Sequence, residues 1–125
     1  MFRVLIVDDS AFARAKVRGW LQDAGHLTAE ATNGAEGLRM ALDMLPDCIV
    51  LDLLMPEMSG EDVLRALRAQ GLEIPVIVCS ANIQDGIRRQ CEEFGVTSFL
   101  AKPPGRTVLL EAMERALPPR KEAAG

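Results

Sequence analysis

Aromatic side chains are scarce here, making up 4% of the 125 residues, with no tyrosine and a single tryptophan. A flavin carrier that sandwiches its ring between aromatics is therefore not expected. Basic charge is not in excess either. Against 18 Asp+Glu stand 14 Lys+Arg, a formal net charge of −4, so no broad nucleic-acid-binding surface is expected. Long apolar runs are missing as well. The longest are strand-sized, far short of the roughly 20 residues a membrane helix needs, so no membrane insertion is expected. The amino terminus leads almost directly into a strand-like run, with no basic stretch ahead of a hydrophobic segment, which makes the cytoplasm the expected location. Cys48, Cys79 and Cys91 are odd in number and lie in apolar surroundings. Their spacing suggests neither a metal site nor a disulfide, and they read as buried free thiols.

What is present is the composition of one globular domain, 49% hydrophobic and 26% charged, long enough to bury an ordinary core. Short β-branched runs alternate with helical stripes from end to end. A first strand over Arg3–Val7 is followed by Ala13, Val17, Trp20, Leu21 and Ala24 at helical spacing, and Gly25 can close that helix. A weaker strand, Leu27–Ala31, precedes a helix predicted to present Ala35, Leu38, Ala41, Leu42 and Leu45 on one face, stopped by Pro46. A third strand ends at Asp52. Ser59 then caps a helix carrying Val63, Leu64 and Leu67, with Asp62 placed to complete a capping box. Gly71 ends it and Pro75 opens a fourth strand. Ile83, Ile87, Cys91 and Phe94 mark a fourth helix closed by Gly95, a fifth strand covers 96–101, and Val108, Leu109, Ala112, Met113 and Ala116 stripe the last helix.

Five strand–helix repeats predict an α/β fold, a parallel sheet wrapped on both faces with right-handed crossovers. Strands one, three and four are nearly continuous in apolar character and belong in the middle. The second belongs at an edge. Residues 1–117 form the expected domain, and 118–125 read as a flexible tail.

Polar residues stand where the apolar runs stop. Asp8 and Asp9 follow the first strand, Asp52 ends the third, Ser80 the fourth, and Lys102 follows the fifth. In open α/β sheets ligands bind outside the carboxyl ends of the strands, where strand order reverses. Three carboxylates that close repel one another unless a divalent cation sits among them, and oxygen ligands at a solvated edge suit Mg²⁺. Asp9 alone could equally serve as a helix cap. Lys102 precedes Pro103-Pro104, which restricts its backbone and makes Lys102–Pro103 a candidate cis bond. His26 reads as a solvated strand-start residue, Trp20 as core, and Met55 and Met58 as packing for the loop after Asp52. Arg65, Arg68, Arg88 and Arg89 read as helix surface charges or partner contacts.

The segments Val7-Asp8-Asp9-Ser10, Asp52-Leu53-Leu54-Met55-Pro56-Glu57-Met58-Ser59-Gly60, Ser80-Ala81 and Phe99-Leu100-Ala101-Lys102-Pro103 together resemble the response-regulator receiver domains of two-component signalling, in the single-domain, CheY-like style. The resemblance runs from about Phe2 to Leu117. It implies a flavodoxin-like (βα)5 sheet in the order 2-1-3-4-5. It implies that Asp52 is the phosphoacceptor, taking its group from a sensor histidine kinase or phosphotransfer protein. Asp8, Asp9, Asp52 and the carbonyl of Leu54 would hold Mg²⁺, for which Mn²⁺ could substitute. Lys102, Ser80 and the amide of Ala81 would bind phosphoryl oxygens. Ser80 and Phe99 would form the switch, reshaping a face made by helix four, strand five and helix five.

The same resemblance implies a downstream protein target, a phosphatase among the candidate partners, and a monomer or weak dimer formed through that face. It implies a self-phosphorylating module and not a turnover enzyme on free substrates. Leu54 and Asn82 stand where the family tunes phosphoryl lifetime, and an apolar Leu54 should hinder the attacking water. Ser80 replaces the commoner threonine, and Phe99 a frequent tyrosine, which removes a phenol hydroxyl. Two other classes fit less well. Phosphohydrolases of the haloacid dehalogenase type place a second Asp two residues after the nucleophile, where this chain has Leu54. A flavodoxin-like FMN carrier needs a hydroxyl-rich phosphate loop where this chain has its acidic pair.

Overall fold

The computed structural model describes residues 1–81 and 84–117. Ile83, expected in the fourth helical stripe, Asn82 and the tail over 118–125 lie outside the described residues. The elements are β1 (Arg3–Val7), α1 (Ala11–Asp23), β2 (Leu27–Ala31), α2 (Gly34–Met44), β3 (Cys48–Asp52), α3 (Gly60–Ala69), β4 (Val76–Ser80), α4 (Asp85–Glu93), β5 (Ser98–Ala101) and α5 (Arg106–Ala116). All strand pairs are parallel, in the order β2-β1-β3-β4-β5. Strand order therefore reverses between β1 and β3, whose ends carry Asp8, Asp9 and Asp52.

The three central strands are apolar at successive positions because both of their faces are covered. Leu5, Val7, Ile49, Leu51, Val76 and Val78 belong to one core, which also takes Ala41, Val63, Leu64, Leu67 and Cys91 from α2, α3 and α4. Val4, Ile6, Cys48, Val50, Ile77 and Cys79 point the other way, into a core shared with Val17 and Leu21 of α1 and Leu109, Ala112 and Met113 of α5. The alternation follows from the two-residue period of a strand. It also sorts the polar ends: Asp52 continues the Cys48–Val50 side, and Ser80 continues the Val76–Val78 side.

Local chemistry sets the element ends. Ser59 and Asp62 form the reciprocal capping box of α3. Gly25 and Gly71 adopt φ of +92° and +78° just past α1 and α3, a region open to glycine at no steric cost. Ser10 caps α1, its hydroxyl accepting from the amide of Ala13 at 3.1 Å. Asp9 is thus not needed as the cap.

Several expectations are corrected. The buried face of α2 is Gly34, Gly37 and Ala41, with Leu38, Met40 and Met44 packed beside them. Ala35, Leu42 and Leu45 are exposed. The close approach of the helix to β1 and to the loop after β3 decides this. A Cβ on Gly37 would stand 2.8 Å from Cγ1 of Val7, and one on Gly34 would stand 2.5 Å from the carbonyl oxygen of Met58. Small residues therefore take the points of closest approach, with Leu38 packed beside them. Strand β5 starts two residues later than expected, at Ser98, although Thr97 still donates to the carbonyl of Val76 at 2.8 Å. Val108 and Ala24 are exposed. Among the described residues, no helix is long and apolar enough to cross a membrane.

Candidate functional site at the carboxyl edge of the sheet

Because the strands are parallel and in register, the residues that end them share one edge. Asp8 and Asp52 are buried there, while Asp9 is exposed. One oxygen from each of the three carboxylates lies within 4.8 Å of the others. Lys102 enters from the end of β5 and places its Nζ 2.8 Å from Oδ2 of Asp8 and 3.3 Å from Oδ2 of Asp52. The Lys102–Pro103 peptide is cis. Asp8 Oδ1 accepts from the amide of Ser10 at 2.9 Å, and Asp52 Oδ1 accepts from the amide of Leu54 at 3.3 Å.

These contacts leave the exposed Asp9 as the carboxylate that stands apart from the other two. Both oxygens of Asp8 are engaged by donors of the protein, the Ser10 amide and Lys102, and so are both of Asp52, by the Leu54 amide and Lys102. Asp9, at the solvated rim, can turn toward an incoming cation. Burial raises the Asp52 carboxyl above its ordinary range, the charge of Asp8 pushes it the same way, and Lys102 only partly offsets them. Burial alone would lower the Lys102 ammonium, but its hydrogen bond to Asp8 and the charges of Asp52 and Asp8 outweigh it, and the net shift is upward. An acidic cluster with one ammonium, open to solvent on one side, fits a hard divalent cation with oxygen ligands.

Ser80 is fully buried, and Ala81 beside it is exposed. Phe99 pairs in register with Val78 and packs against the core on the Ser80 side of the sheet, with Arg88 of α4 5.9 Å from its ring centre. Leu54 is 57% exposed beside Asp52. Glu57, in the same loop, adopts a left-handed φ of 67°. Behind Asp52 and Lys102 lies a cavity of about 40 Å³, lined also by Val17, Trp20, Cys79 and Pro104. A larger groove of about 660 Å³ beside α5, past Phe2 and His26, holds none of the strand-end residues.

Residues 4–114 match the response regulator receiver domain. The chain belongs to that family. It is 36% identical over 117 residues to the chemotaxis protein CheY of Listeria monocytogenes, covering 93% of this chain and 98% of that one. It is also 42% identical over 108 residues to a protein-glutamate methylesterase/protein-glutamine glutaminase of Treponema denticola, where the match takes in 82% of this chain but only 29% of the relative. Among solved structures, CheY4 of Vibrio cholerae superposes with a TM-score of 0.87 at 33% identity, over 94% of this chain and 99% of that one. The receiver domain is therefore what these proteins share, whether it stands nearly alone or at one part of a longer chain.

Within the receiver, some side chains do more than their sequence positions suggest. Arg68, expected to be a surface charge, donates through Nε to the carbonyl of Phe94 at 2.6 Å and through Nη1 to those of Leu72 and Ile74 at 2.9 and 3.1 Å. It joins the end of α4 to the loop before β4. Arg65 pairs with Asp62 at 3.1 Å and lies 5.6 Å from the ring centre of Phe94. His26 is half-buried and not simply solvated: its Nδ1 accepts from the amide of Phe2 at 3.4 Å. Trp20 packs at the margin of the core on the α1 and α5 side, and Met55 and Met58 pack on the α2 and α3 side as expected.

Proposed function

We propose that Asp52 of this two-component receiver accepts a phosphoryl group from a phosphohistidine on a sensor kinase or phosphotransfer protein. A carboxylate oxygen of Asp52 attacks phosphorus in line, the P–N bond breaks, and the freed imidazole takes up a proton. The observation that carries the reading is the Lys102 ammonium held between Asp8 and Asp52 at the edge where three carboxylates converge. Asp9, Asp52 and the carbonyl of Leu54 would hold Mg²⁺ or Mn²⁺, with Asp8 close behind. The ion supplies neutralisation of charge on the transferring group. Lys102 balances a further phosphoryl oxygen, and the Ser80 hydroxyl and Ala81 amide bind those that remain.

Movement of Ser80 toward the phosphoryl group frees space on the side of the sheet where Phe99 packs. A buried Phe99 then shifts the population of the α4–β5–α5 face toward the form a partner reads. That face is also where a weak dimer would form. Similarity to CheY over nearly its whole length supports a chemotaxis-type role for residues 1–117, in the cytoplasm, controlling a protein target and open to a phosphatase. The module catalyses its own phosphorylation and dephosphorylation rather than turnover of free substrates.

Intact-mass analysis after incubation with acetyl phosphate tests this. One phosphoryl should be gained, only with Mg²⁺ present and not in an Asp52→Ala chain. No gain where a known receiver is modified would leave a phosphorylation-independent binding module. Chasing the modified protein extends the test to Leu54, which crowds the path of the attacking water. A Leu54→Asn chain should lose its phosphoryl severalfold sooner than the parent, and equal lifetimes would remove Leu54 from that role.

A further inference from the structure

Asp8 is tied at four points, and one tie comes from outside the strand ends and their turns. The amide of Asp8 donates to the carbonyl of Ala31 at 3.2 Å, and its two carboxylate oxygens face the Ser10 amide and Lys102. The fourth contact is to the backbone: Nη1 of Arg14, on α1, donates to the carbonyl oxygen of Asp8 at 2.8 Å. The same guanidinium donates through Nε to Oε1 of Glu30 at 3.1 Å. Oε2 of Glu30 accepts from Nη1 of Arg18 at 2.6 Å. The side chain of Arg14 is only 13% exposed.

Backbone register between β1 and β2 ends at Val7 and Ala31. Past that point the Asp8 amide still reaches the carbonyl of Ala31, and Arg14 adds a side-chain link from the carbonyl of Asp8 back to Glu30, which pairs with Ile6 within the ladder. A guanidinium is a planar fork whose donors have fixed directions, so contacts at two separate acceptors also fix its plane. Rotating the peptide between Asp8 and Asp9 would break a largely buried, charge-assisted bond. That peptide sets where the Asp9 side chain begins and, one residue on, where the Ser10 amide stands that donates to Oδ1 of Asp8.

We propose that Arg14, oriented by Glu30 and Arg18, is a positioning residue for the divalent-cation site, acting through the Asp8 carbonyl on the direction of Asp8 and Asp9. The proposal rests on the reading of Asp8, Asp9 and Asp52 as the metal-holding cluster. The alternative is that Arg14 does no more than dock α1 on β2. Gln22 supplies the comparison, because its Nε2 donates to Oγ1 of Thr28 at 3.0 Å and ties the same two elements at the end remote from the site.

The test is calorimetric titration of the unphosphorylated chain with Mg²⁺ alone, beside urea unfolding without metal. Arg14→Met should weaken Mg²⁺ binding about tenfold, the lower end of what loss of an outer-shell partner costs. Glu30→Gln should weaken it less, in the same direction. Gln22→Met should bind Mg²⁺ as the parent does, whatever it does to stability. A folded Arg14→Met chain with parental Mg²⁺ affinity would overturn the proposal. If Arg14→Met does not fold, Arg14→Lys takes its place, since a lysine cannot bridge both acceptors. Parental affinity in both Arg14→Lys and Glu30→Gln would then overturn it. A parent chain that binds no Mg²⁺ would instead bring down the metal reading on which the proposal stands.

Discussion

Asp52 shows how one side chain can be poised at the expense of the fold. Its pKa is raised chiefly by burial and then by Asp8, against the pull of Lys102. A carboxyl whose folded pKa exceeds its unfolded one binds its proton more tightly when folded. That contribution is complete below the ordinary Asp range and is lost as pH rises past the folded pKa. Ionised Asp52 therefore costs stability at neutral pH in the absence of metal. Asp52→Asn should raise the metal-free thermal midpoint at pH 7 by roughly 4 °C, about what 1 kcal/mol does in a domain this size. The gain should shrink toward pH 4, and a gain that grows on acidification would reverse the sign argued here. Asp8, Asp9, Asp52, Ser80 and Lys102 were legible in the sequence because each interrupts an apolar run at its end. Arg14 and Arg68 were not. An arginine on a helix looks solvated whichever carbonyl it reaches, and the acceptor on Phe94 lies 26 positions from Arg68.

Among the elements, α4 depends on a neighbour. The carbonyls of Phe94, Leu72, Ile74 and Gly95 converge on Arg68, so removing the guanidinium strands acceptors in four peptides at once. Arg68→Met should cost about 2 kcal/mol in urea unfolding, within the range for polar groups left partly buried and unpaired. Amide exchange should quicken first around residues 91–96, and uniform quickening across the sheet would argue against a local clamp. Helix existence was readable here from periodicity and caps: the Ser59–Asp62 box is as the sequence suggests. Which face of α2 turns inward was readable only in part: Leu38 and Ala41 lie on the core as expected, while Ala35, Leu42 and Leu45 do not. Leucine at helical spacing is the usual sign of a core face, but the closest approach of helix to strand, unknown from the pattern, falls at Gly37 over Val7, where no larger side chain fits.

At the scale of the whole molecule, the parallel sheet does the assembling. Five strands pointing one way bring residues 8, 9, 52, 80 and 102 to one rim, although they are spread over most of the chain. The fold was legible at this scale because the alternation of strand and helix is unbroken, and strand order followed from the family resemblance. The two cores on either side of the sheet also enclose every thiol: Cys48, Cys79 and Cys91 are all buried, and burial raises their pKa to about 12, 12 and 11. Little thiolate is thus available to electrophiles while the fold holds. The chain is in effect a blank for single-site labelling. A cysteine introduced at an exposed position such as Glu93 or Glu111 should take a maleimide alone, with no native cysteine replaced, and a second label should be gained only as the domain unfolds. A pair of dyes or spin probes could then be set on either side of the α4–β5–α5 face, and the proposed switch read as a change in distance.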